Sequence, residues 1–295
     1  MKQYKYTLDK SSKKFTCPKC HKKTFVKYTE TETGNYFDED FGRCDRESNC
    51  NYHNAPNGDY KNTFEVINIS KPEPSFHDYD LVNQSKRNYE QNNFVKFLKT
   101  IFSDFEVKQA IQKYSIGTSK YWKGATVFWQ IDNLQKVRHG KILQYVPETG
   151  KRYKDKNGKP LIHSVRAVLQ IKNFNLCQCL FGLQLTANSL QKTIAIVESE
   201  KTAIIMSLFK PEYIWLSTGG KGFFKYDMLL PIKQFKIVAF PDKGEYKDWL
   251  NKATELNGFG FKIEVNDWLE NSNYENGTDL ADVYISSLNT ETEIN

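Results

Sequence analysis

The sequence predicts a multidomain α/β protein in which a small β module precedes a larger core that contains a parallel sheet. The first observation is four cysteines in two clusters near the N-terminus, set among segments of strand and turn character. The second is a repeat of apolar strand, turn and helix after residue 193, which is typical of a parallel sheet with helices on its faces. The 295 residues suffice for about two domains of average size.

The N-terminal module contains a predicted metal site. Cys17 and Cys20 are separated by two residues, a spacing with which two thiolates bind one ion through a tight turn, and Cys44 and Cys50 form a second cluster after a spacer. Four soft ligands in two clusters indicate tetrahedral zinc, and a reducing compartment disfavours disulfides. We therefore expect these four cysteines to hold a structural Zn²⁺.

The identity of the fourth ligand is open at this level. Five residues separate Cys44 from Cys50 where two to four are usual, so that either Cys50 or His53 is the fourth ligand. His21 is a weaker competitor in the first cluster. Cys177 and Cys179 have no partner ligands and are expected to be buried packing residues.

Basic and aromatic side chains are interleaved in the same module. Cations suit the phosphates of a nucleic-acid strand and rings suit its bases, so single-stranded DNA is the predicted partner. The side chains concerned are Lys13, Lys14, Lys19, Lys22, Lys23, Lys27, Tyr28, Tyr36, Phe37 and Phe41.

Charge is distributed unevenly along the chain. The net charge is +7, but residues 243–295 hold four lysines against eleven acidic side chains, which gives −7 there and +14 for residues 1–242. Residues 141–172 alone carry +6. A basic stretch favours a polyanionic partner because neutralised phosphates release counterions, although a solvated face is the other interpretation of a charge run.

Composition and hydropathy exclude several classes of protein. With 39% hydrophobic and 26% charged residues, the chain is neither fibrous, collagenous nor wholly disordered. No run of about 18 uncharged apolar residues occurs, and no apolar segment follows the charged N-terminus. A cytoplasmic protein without membrane contact is the expectation.

The middle of the chain alternates helical and strand-like patterns. Apolar residues from Asn92 onward share one helical face, and a second helix is predicted over Asp104–Lys113 with Ser103 or Asp104 as its N-cap. Two alternating runs follow Gly117, joined by a turn at Asp132-Asn133. The predicted domains are a zinc module (1–67), a linker (68–91), a mixed α/β segment (92–190), a parallel-sheet domain (191–287) and a polar tail (288–295).

Acidic residues follow the predicted parallel strands directly. Glu198 ends the run TIAIV, and Asp242 follows the run that ends at Phe240. Polar residues just past such strands collect in one crevice, and carboxylates there suit a divalent cation such as Mg²⁺. Asp279 in GTDLADVY is a further candidate, with a helix cap or a solvated loop as the alternative.

These segments resemble a known family. The order VESEKTA, STGGKG, IVAFPDKG and TDLAD is similar to the toprim domain shared by DnaG-type bacterial primases, topoisomerases and some nucleases. Upstream, FSDFEVKQAIQKYSIG resembles the helical segment of DnaG-type primases, ATVFWQIDNLQKVRHGKI their strands before the toprim domain, and CLFGL the short segment leading into it. In particular, the chain resembles primase-like toprim proteins of mobile elements.

The resemblance implies catalytic roles. Glu198 and Asp242 would hold Mg²⁺ or Mn²⁺ for nucleotidyl transfer, with Asp279 as a further ligand. Three lysines would contact nucleotide phosphates, namely Lys201, Lys221 and Lys243.

The sequence also departs from the family pattern. Gly244 stands where the second Asp of an Asp-x-Asp pair is expected, and Thr202 where primases often carry an Asp. Glu200, Glu245 and Asp279 are the candidate substitutes.

The resulting hypothesis is a DNA primase-like protein that acts in the replication of a mobile element. It would bind single-stranded DNA and nucleotides, and a replicative helicase would be a separate chain. The alternatives are a catalytically degenerate toprim protein that binds DNA as an accessory factor, and a toprim nuclease.

Overall fold

The chain divides into two compact units, residues 1–71 and residues 72–295. The computed structural model describes residues 4–46, 50–56, 73–187, 189–190 and 193–292. Residues 57–72, where the predicted zinc module ends and the predicted linker begins, lie outside the described residues, as do residues 293–295 of the predicted tail. Among the residues described, no helix is long and apolar enough to cross a membrane.

The first unit is an antiparallel sheet with a very small core. In the sheet β3 pairs with β1, β2 and β4, and β4 pairs with β5. Phe25 is buried against Cys17, Cys44 and Cys50. Because the described residues of this unit bury few apolar side chains, a bound metal would supply much of the folding free energy. The strands are β1 (Tyr6–Leu8), β2 (Phe15–Thr16), β3 (Lys23–Glu30), β4 (Gly42–Cys44) and β5 (His53–Asn54).

The second unit begins with helices and an antiparallel sheet in the order β6-β7-β8-β9. Ser103 caps α3 through a capping box, in which its hydroxyl oxygen accepts from the backbone N–H of Glu106 and the carboxylate of Glu106 accepts from the backbone N–H of Ser103. The elements are α1 (Tyr79–Ser85), α2 (Asn93–Leu98), α3 (Asp104–Lys113), β6 (Gly117–Thr118), β7 (Thr126–Ile131), β8 (Val137–Leu143), β9 (Ile162–Ser164) and α4 (Val165–Val168).

The structure differs from the sequence-based expectation in the stretch predicted as linker. Helix α1 lies inside it, because the Asp78 side chain caps the helix by accepting from the backbone N–H of Asp80 and because Val82 is buried. The expectation for the two downstream cysteines is right for Cys179, which is buried, and wrong for Cys177, which is exposed because the chain enters the core only at Cys179.

A parallel sheet with flanking helices forms the remainder, and the α/β fold class is confirmed. Its strand order is β11-β10-β12-β13, and all three pairs are parallel. Helix α8 continues through most of the predicted tail. The elements are β10 (Thr193–Val197), α5 (Glu200–Phe209), β11 (Ile214–Ser217), α6 (Tyr226–Leu229), β12 (Lys236–Ala239), α7 (Tyr246–Gly258), β13 (Lys262–Val265) and α8 (Leu280–Thr292).

Alternate residues of the parallel strands are buried in two different hydrophobic cores. Ala195 belongs to the core that contains α2, α3 and α5, and Ile196 belongs to the core that contains α6 and α7. Phe128 and Tyr145 of the antiparallel part share the first core with Ala195. The antiparallel and parallel sheets are therefore joined by continuous packing.

The strand order creates a crevice at the carboxyl ends of the two central strands of the parallel sheet. From β10 the chain passes through α5 to β11 on one side, whereas from β12 it passes through α7 to β13 on the other. The carboxyl ends of the neighbouring strands β10 and β12 therefore lie at a topological switch point, where α/β proteins bind ligands. Glu198 and Asp242 follow these two strand ends.

Candidate active site and metal centre

Four thiols of the first unit form a compact cluster. The Sγ atoms of Cys17, Cys20, Cys44 and Cys50 all lie within 4.8 Å of one another, with 3.7 Å between Cys17 and Cys50 and 3.9 Å between Cys20 and Cys44. A tetrahedron with Zn–S bonds of about 2.3 Å has S···S edges of about 3.8 Å. These separations fit a zinc ion and are far too long for disulfide bonds.

The competing histidine is engaged elsewhere. The Nε2 atom of His53 lies 3.0 Å from the hydroxyl of Tyr28, and the two rings are stacked. Within the part of the chain that the structure describes, the metal-ligating cluster contains cysteines alone. The backbone N–H of Lys22 bonds the Cys20 thiol and, as the largest cause, lowers its pKa to about 6, which favours the thiolate that zinc requires.

An aromatic and cationic surface accompanies the thiol cluster. The Nζ atoms of Lys13 and Lys27 lie 5.1 Å and 4.5 Å from the centre of the Phe15 ring, and both lysines also face the ring of Tyr36. Tyr36 is 38% exposed and donates to Asp9. Cations and a partly exposed ring therefore stand side by side, as a nucleic-acid strand requires.

Two carboxylates meet in a cavity at the switch point of the second unit. Glu198 and Asp242 line a cavity of about 300 Å³, together with basic residues of the antiparallel part. Both side chains are half-buried, and neither has a hydrogen bond or ion pair within the described ranges. The remaining lining residues are Tyr145, Gly150, Lys151, Arg152, Ser199, Lys201, Gly277, Asp279 and Asp282.

The electrostatics of this cavity disfavour two bare negative charges. Burial, followed by the charges of Asp279 and Glu198, raises the pKa of Asp242 to about 8. Burial and the charge of Glu245 raise the pKa of Glu198 above its ordinary value. Carboxylates that are crowded and unpaired in this way are stabilised by a cation, and oxygen ligands suit Mg²⁺ and Mn²⁺. Glu198 and Asp242 therefore fit the predicted divalent ion.

Asp279 lines the same cavity, but its oxygens already have partners. Oδ2 accepts the hydroxyl hydrogen of Thr202 at 2.9 Å and lies 3.3 Å from Nζ of Lys201. Oδ1 accepts from the backbone N–H of Asp282 at 2.9 Å, which caps helix α8. Lys201 also donates to Asp282 Oδ1 at 2.8 Å.

The other two predicted phosphate-binding lysines lie outside this cavity. Lys221 pairs with Glu245 and lines a separate cavity of about 640 Å³. Lys243 donates to the backbone carbonyls of Glu270 at 2.8 Å and Ser272 at 2.6 Å, and so holds the loop before α8. The structure therefore brings together Glu198, Asp242, Asp279 and Lys201 but not Lys221 or Lys243.

The candidate substitutes for the missing acids also have other partners. Glu200 is 1% exposed and accepts from Nζ of Lys141 at 3.0 and 3.1 Å, and the same ammonium donates to the carbonyl of Gly219 at 2.8 Å. Glu245 is held by Lys221. Gly244 has φ +91°, a left-handed backbone in which an Asp would be strained.

The Lys141 contact is the feature of the site that sequence reasoning missed. It connects strand β8 of the antiparallel sheet to the start of α5 and to the glycine turn after β11. The sequence signal is weak, because strand β8 also contains Arg138 and His139, and nothing local distinguishes Lys141 from these polar residues.

Comparisons with known proteins bear on both units. A family described as "Domain of unknown function (DUF6371)" matches residues 92–243, just over half of the chain, and a family described as a zinc beta-ribbon finger matches residues 4–65. No curated protein matches the chain. The zinc-ribbon match and the four thiols together support a structural zinc ion.

Solved structures of primases are similar to the chain at low identity. The primase fragment of the bacteriophage T7 primase-helicase protein has 15% identity and a TM-score of 0.45, covering 95% of this chain and 97% of that one. A DnaG primase catalytic domain bound to ssDNA has 12% identity and a TM-score of 0.46, covering 71% and 76%. The zinc-binding and RNA polymerase domains of the Aquifex aeolicus primase have 12% identity and a TM-score of 0.42, covering 71% and 61%.

Proposed function

Because the chain belongs to the family described as a domain of unknown function (DUF6371), whose description names no activity, we propose a function from its own site: primer synthesis on single-stranded DNA by metal-dependent nucleotidyl transfer. The observation that carries this proposal is the pair Glu198 and Asp242. These are two half-buried carboxylates without a hydrogen-bond or ion-pair partner among the described residues, in a cavity that Lys151 and Arg152 also line.

The two sides of the cavity have complementary tasks under this proposal. Glu198 and Asp242 hold a divalent cation, which when bound would neutralise triphosphate charge and assist ionisation of the attacking 3′-hydroxyl. Lys151 and Arg152, both exposed, bind nucleotide or template phosphates beside it. The segment orders that resemble DnaG-type primases favour nucleotidyl transfer over other uses of such a cavity.

The basic surfaces would hold the template. Exposed Lys154 and Lys156 follow Lys151 and Arg152 along the chain, and the zinc unit offers the exposed Lys13 beside two aromatic rings. Cations spaced along a strand bind the phosphate backbone with steep salt dependence and little sequence preference. The action of the protein in replication of a mobile element, with a replicative helicase as a partner, remains part of this proposal.

Primer synthesis tests the proposal directly. The zinc-loaded full chain is incubated with single-stranded DNA, nucleotides of either sugar type, and Mg²⁺ or Mn²⁺. Glu198→Gln should lower oligonucleotide synthesis by about 100-fold or more. Glu90→Gln, which removes an exposed carboxylate that does not line the cavity, should leave oligonucleotide synthesis unchanged. Synthesis that survives in Glu198→Gln, or no synthesis by the wild type with either metal, would refute the proposal.

One observation favours a second candidate, a DNA-binding accessory protein without catalysis. Thr202 and Gly244 replace two carboxylates of the family pattern, and Glu200 and Glu245 are held by lysines. This candidate predicts binding to single strands that weakens steeply with salt but is unaffected by EDTA at a concentration that leaves zinc in place. A loss of affinity on that treatment would contradict it.

A further inference from the structure

Lys201 is a cation built into the carboxylate cavity. Its side chain is 14% exposed, and its ammonium contacts Asp282 at 2.8 Å and Asp279 at 3.3 Å. Burial lowers the pKa of this lysine, but the two carboxylates more than offset the effect and raise it, so the ammonium stays charged. A positive charge is therefore present in the cavity before any ion binds.

The carboxylates of the cavity fall into two groups. Asp279 and Asp282 share Lys201, and Asp279 is further occupied by the Thr202 hydroxyl and by its capping contact with the N–H of Asp282. Glu198 and Asp242 have no such partners among the described residues. Among the described carboxylates that line this cavity, Glu198 and Asp242 are the pair in which neither oxygen has a hydrogen bond or ion pair.

A charge count gives the same division. When all four carboxylates of the cavity are ionised, as a bound cation would favour, Lys201 and the exposed Lys151 and Arg152 leave one negative charge uncompensated. One divalent cation more than neutralises this remaining negative charge. A second would need ligands that Lys201 and Thr202 already occupy, and two-metal sites require several shared carboxylates.

We propose that Lys201 is a positioning residue that substitutes for a second metal ion, so that the cavity takes a single divalent cation held by Glu198 and Asp242, with Asp279 serving as a helix cap. This inference rests on the proposed function, since it concerns the same cavity. It concerns the number of ions rather than the reaction.

Manganese binding to the zinc-loaded full chain tests this inference. Equilibrium dialysis with detection of free Mn²⁺ by electron paramagnetic resonance gives stoichiometry and affinity without an activity readout. The wild type should bind one Mn²⁺. Glu198→Gln and Asp242→Asn should weaken that site more than about 100-fold, whereas Asp279→Asn, which keeps a good N-cap, should weaken it less than about tenfold.

Variants at position 201 provide the decisive comparison. Lys201→Met removes the ammonium that Asp279 and Asp282 share, although the Thr202 hydroxyl stays on Asp279. This variant should bind a second Mn²⁺ through the carboxylate oxygens that lose the ammonium, whereas Lys201→Arg should bind one. Lys247→Met, which removes an exposed lysine of α7, should bind one. Should Lys201→Met fail to fold, the wild-type stoichiometry and the Asp279→Asn affinity decide the question by themselves.

The outcomes separate this inference from the proposed function. Two ions in the wild type, a single ion in folded Lys201→Met, or an Asp279→Asn loss as large as that of Asp242→Asn would overturn the role of Lys201 even if primers are made. One ion without primer synthesis would support the role of Lys201 while refuting the proposed function. No Mn²⁺ in the wild type would overturn both.

Discussion

Replacement of Lys141 by Met should destabilise the second unit strongly. The ammonium of Lys141 makes three contacts of 2.8–3.1 Å, two with Glu200 and one with the carbonyl of Gly219. The Glu200 side chain is 1% exposed, so removing its partner leaves a buried carboxylate uncompensated. Breaking a buried pair in this way costs about 3–5 kcal/mol of unfolding free energy.

Thermal unfolding followed by tryptophan fluorescence measures this effect. All five tryptophans lie in the second unit, so the signal reports that unit within the full chain. For a domain of this size, a loss of about 3–5 kcal/mol lowers the midpoint by about 6–20 °C. Lys108→Met, which removes an exposed lysine of α3, should shift the midpoint by less than about 2 °C.

A double variant separates loss of the pair from loss of packing. In Lys141→Met/Glu200→Gln no buried charge remains, and at least about 1 kcal/mol of the loss should be recovered. A midpoint for Lys141→Met within about 2 °C of the wild type would refute the reasoning. A double variant less stable than Lys141→Met would also refute it, since the buried charge would then not be the cause.

Three further predictions concern the metal centre, acid stability and one helix. Cys17→Ser should lose zinc, measured by atomic absorption, and should collapse the amide dispersion of residues 4–46 in NMR spectra, because the thiols form most of the core cluster that the described residues of this unit bury. Burial lowers the pKa of His139 from 6.5 to about 4, so the folded state binds the neutral ring in preference to the charged one. About 3 kcal/mol of unfolding free energy that is present above pH 6.5 should therefore be lost as the pH falls towards 4. Denaturant titrations at several pH values should show a weaker pH dependence of the unfolding free energy for His139→Gln. Ser103→Ala should cost about 1 kcal/mol in denaturant unfolding by removing the capping box with Glu106, whereas Ser103→Asp should not.

Local patterns were sufficient to predict most of the secondary structure. The apolar run TIAIV coincides with β10, and helix α5 follows it after a short turn, as the predicted repeat of strand, turn and helix requires. The alternation of strand and helix also predicted a crevice with Glu198 and Asp242 at neighbouring strand ends. These inferences depend only on residues close in sequence and on the rules of parallel sheets.

Contacts between residues distant in sequence could not be predicted in this way. Lys141 and Glu200 are 59 positions apart, and Thr202 and Asp279 are 77 apart. Nothing local distinguishes Lys201, which lies in the carboxylate cavity, from Lys243, which supports a loop through two carbonyls. The partner of a long, flexible cation is set by tertiary packing, so sequence could name candidate lysines but not sort them.

The departures from the family pattern acquire a physical meaning once these contacts are known. An Asp at position 202 would stand 2.9 Å from the place of an Asp279 oxygen and would repel it, whereas the Thr202 hydroxyl donates to that oxygen. Lys201, one position earlier, adds a charge to the same carboxylate. Asp279 is thus held by a hydrogen bond from Thr202 and by the charge of Lys201, where the family pattern has a further acid. The absence of that acid does not by itself mean that the cavity has lost its cation.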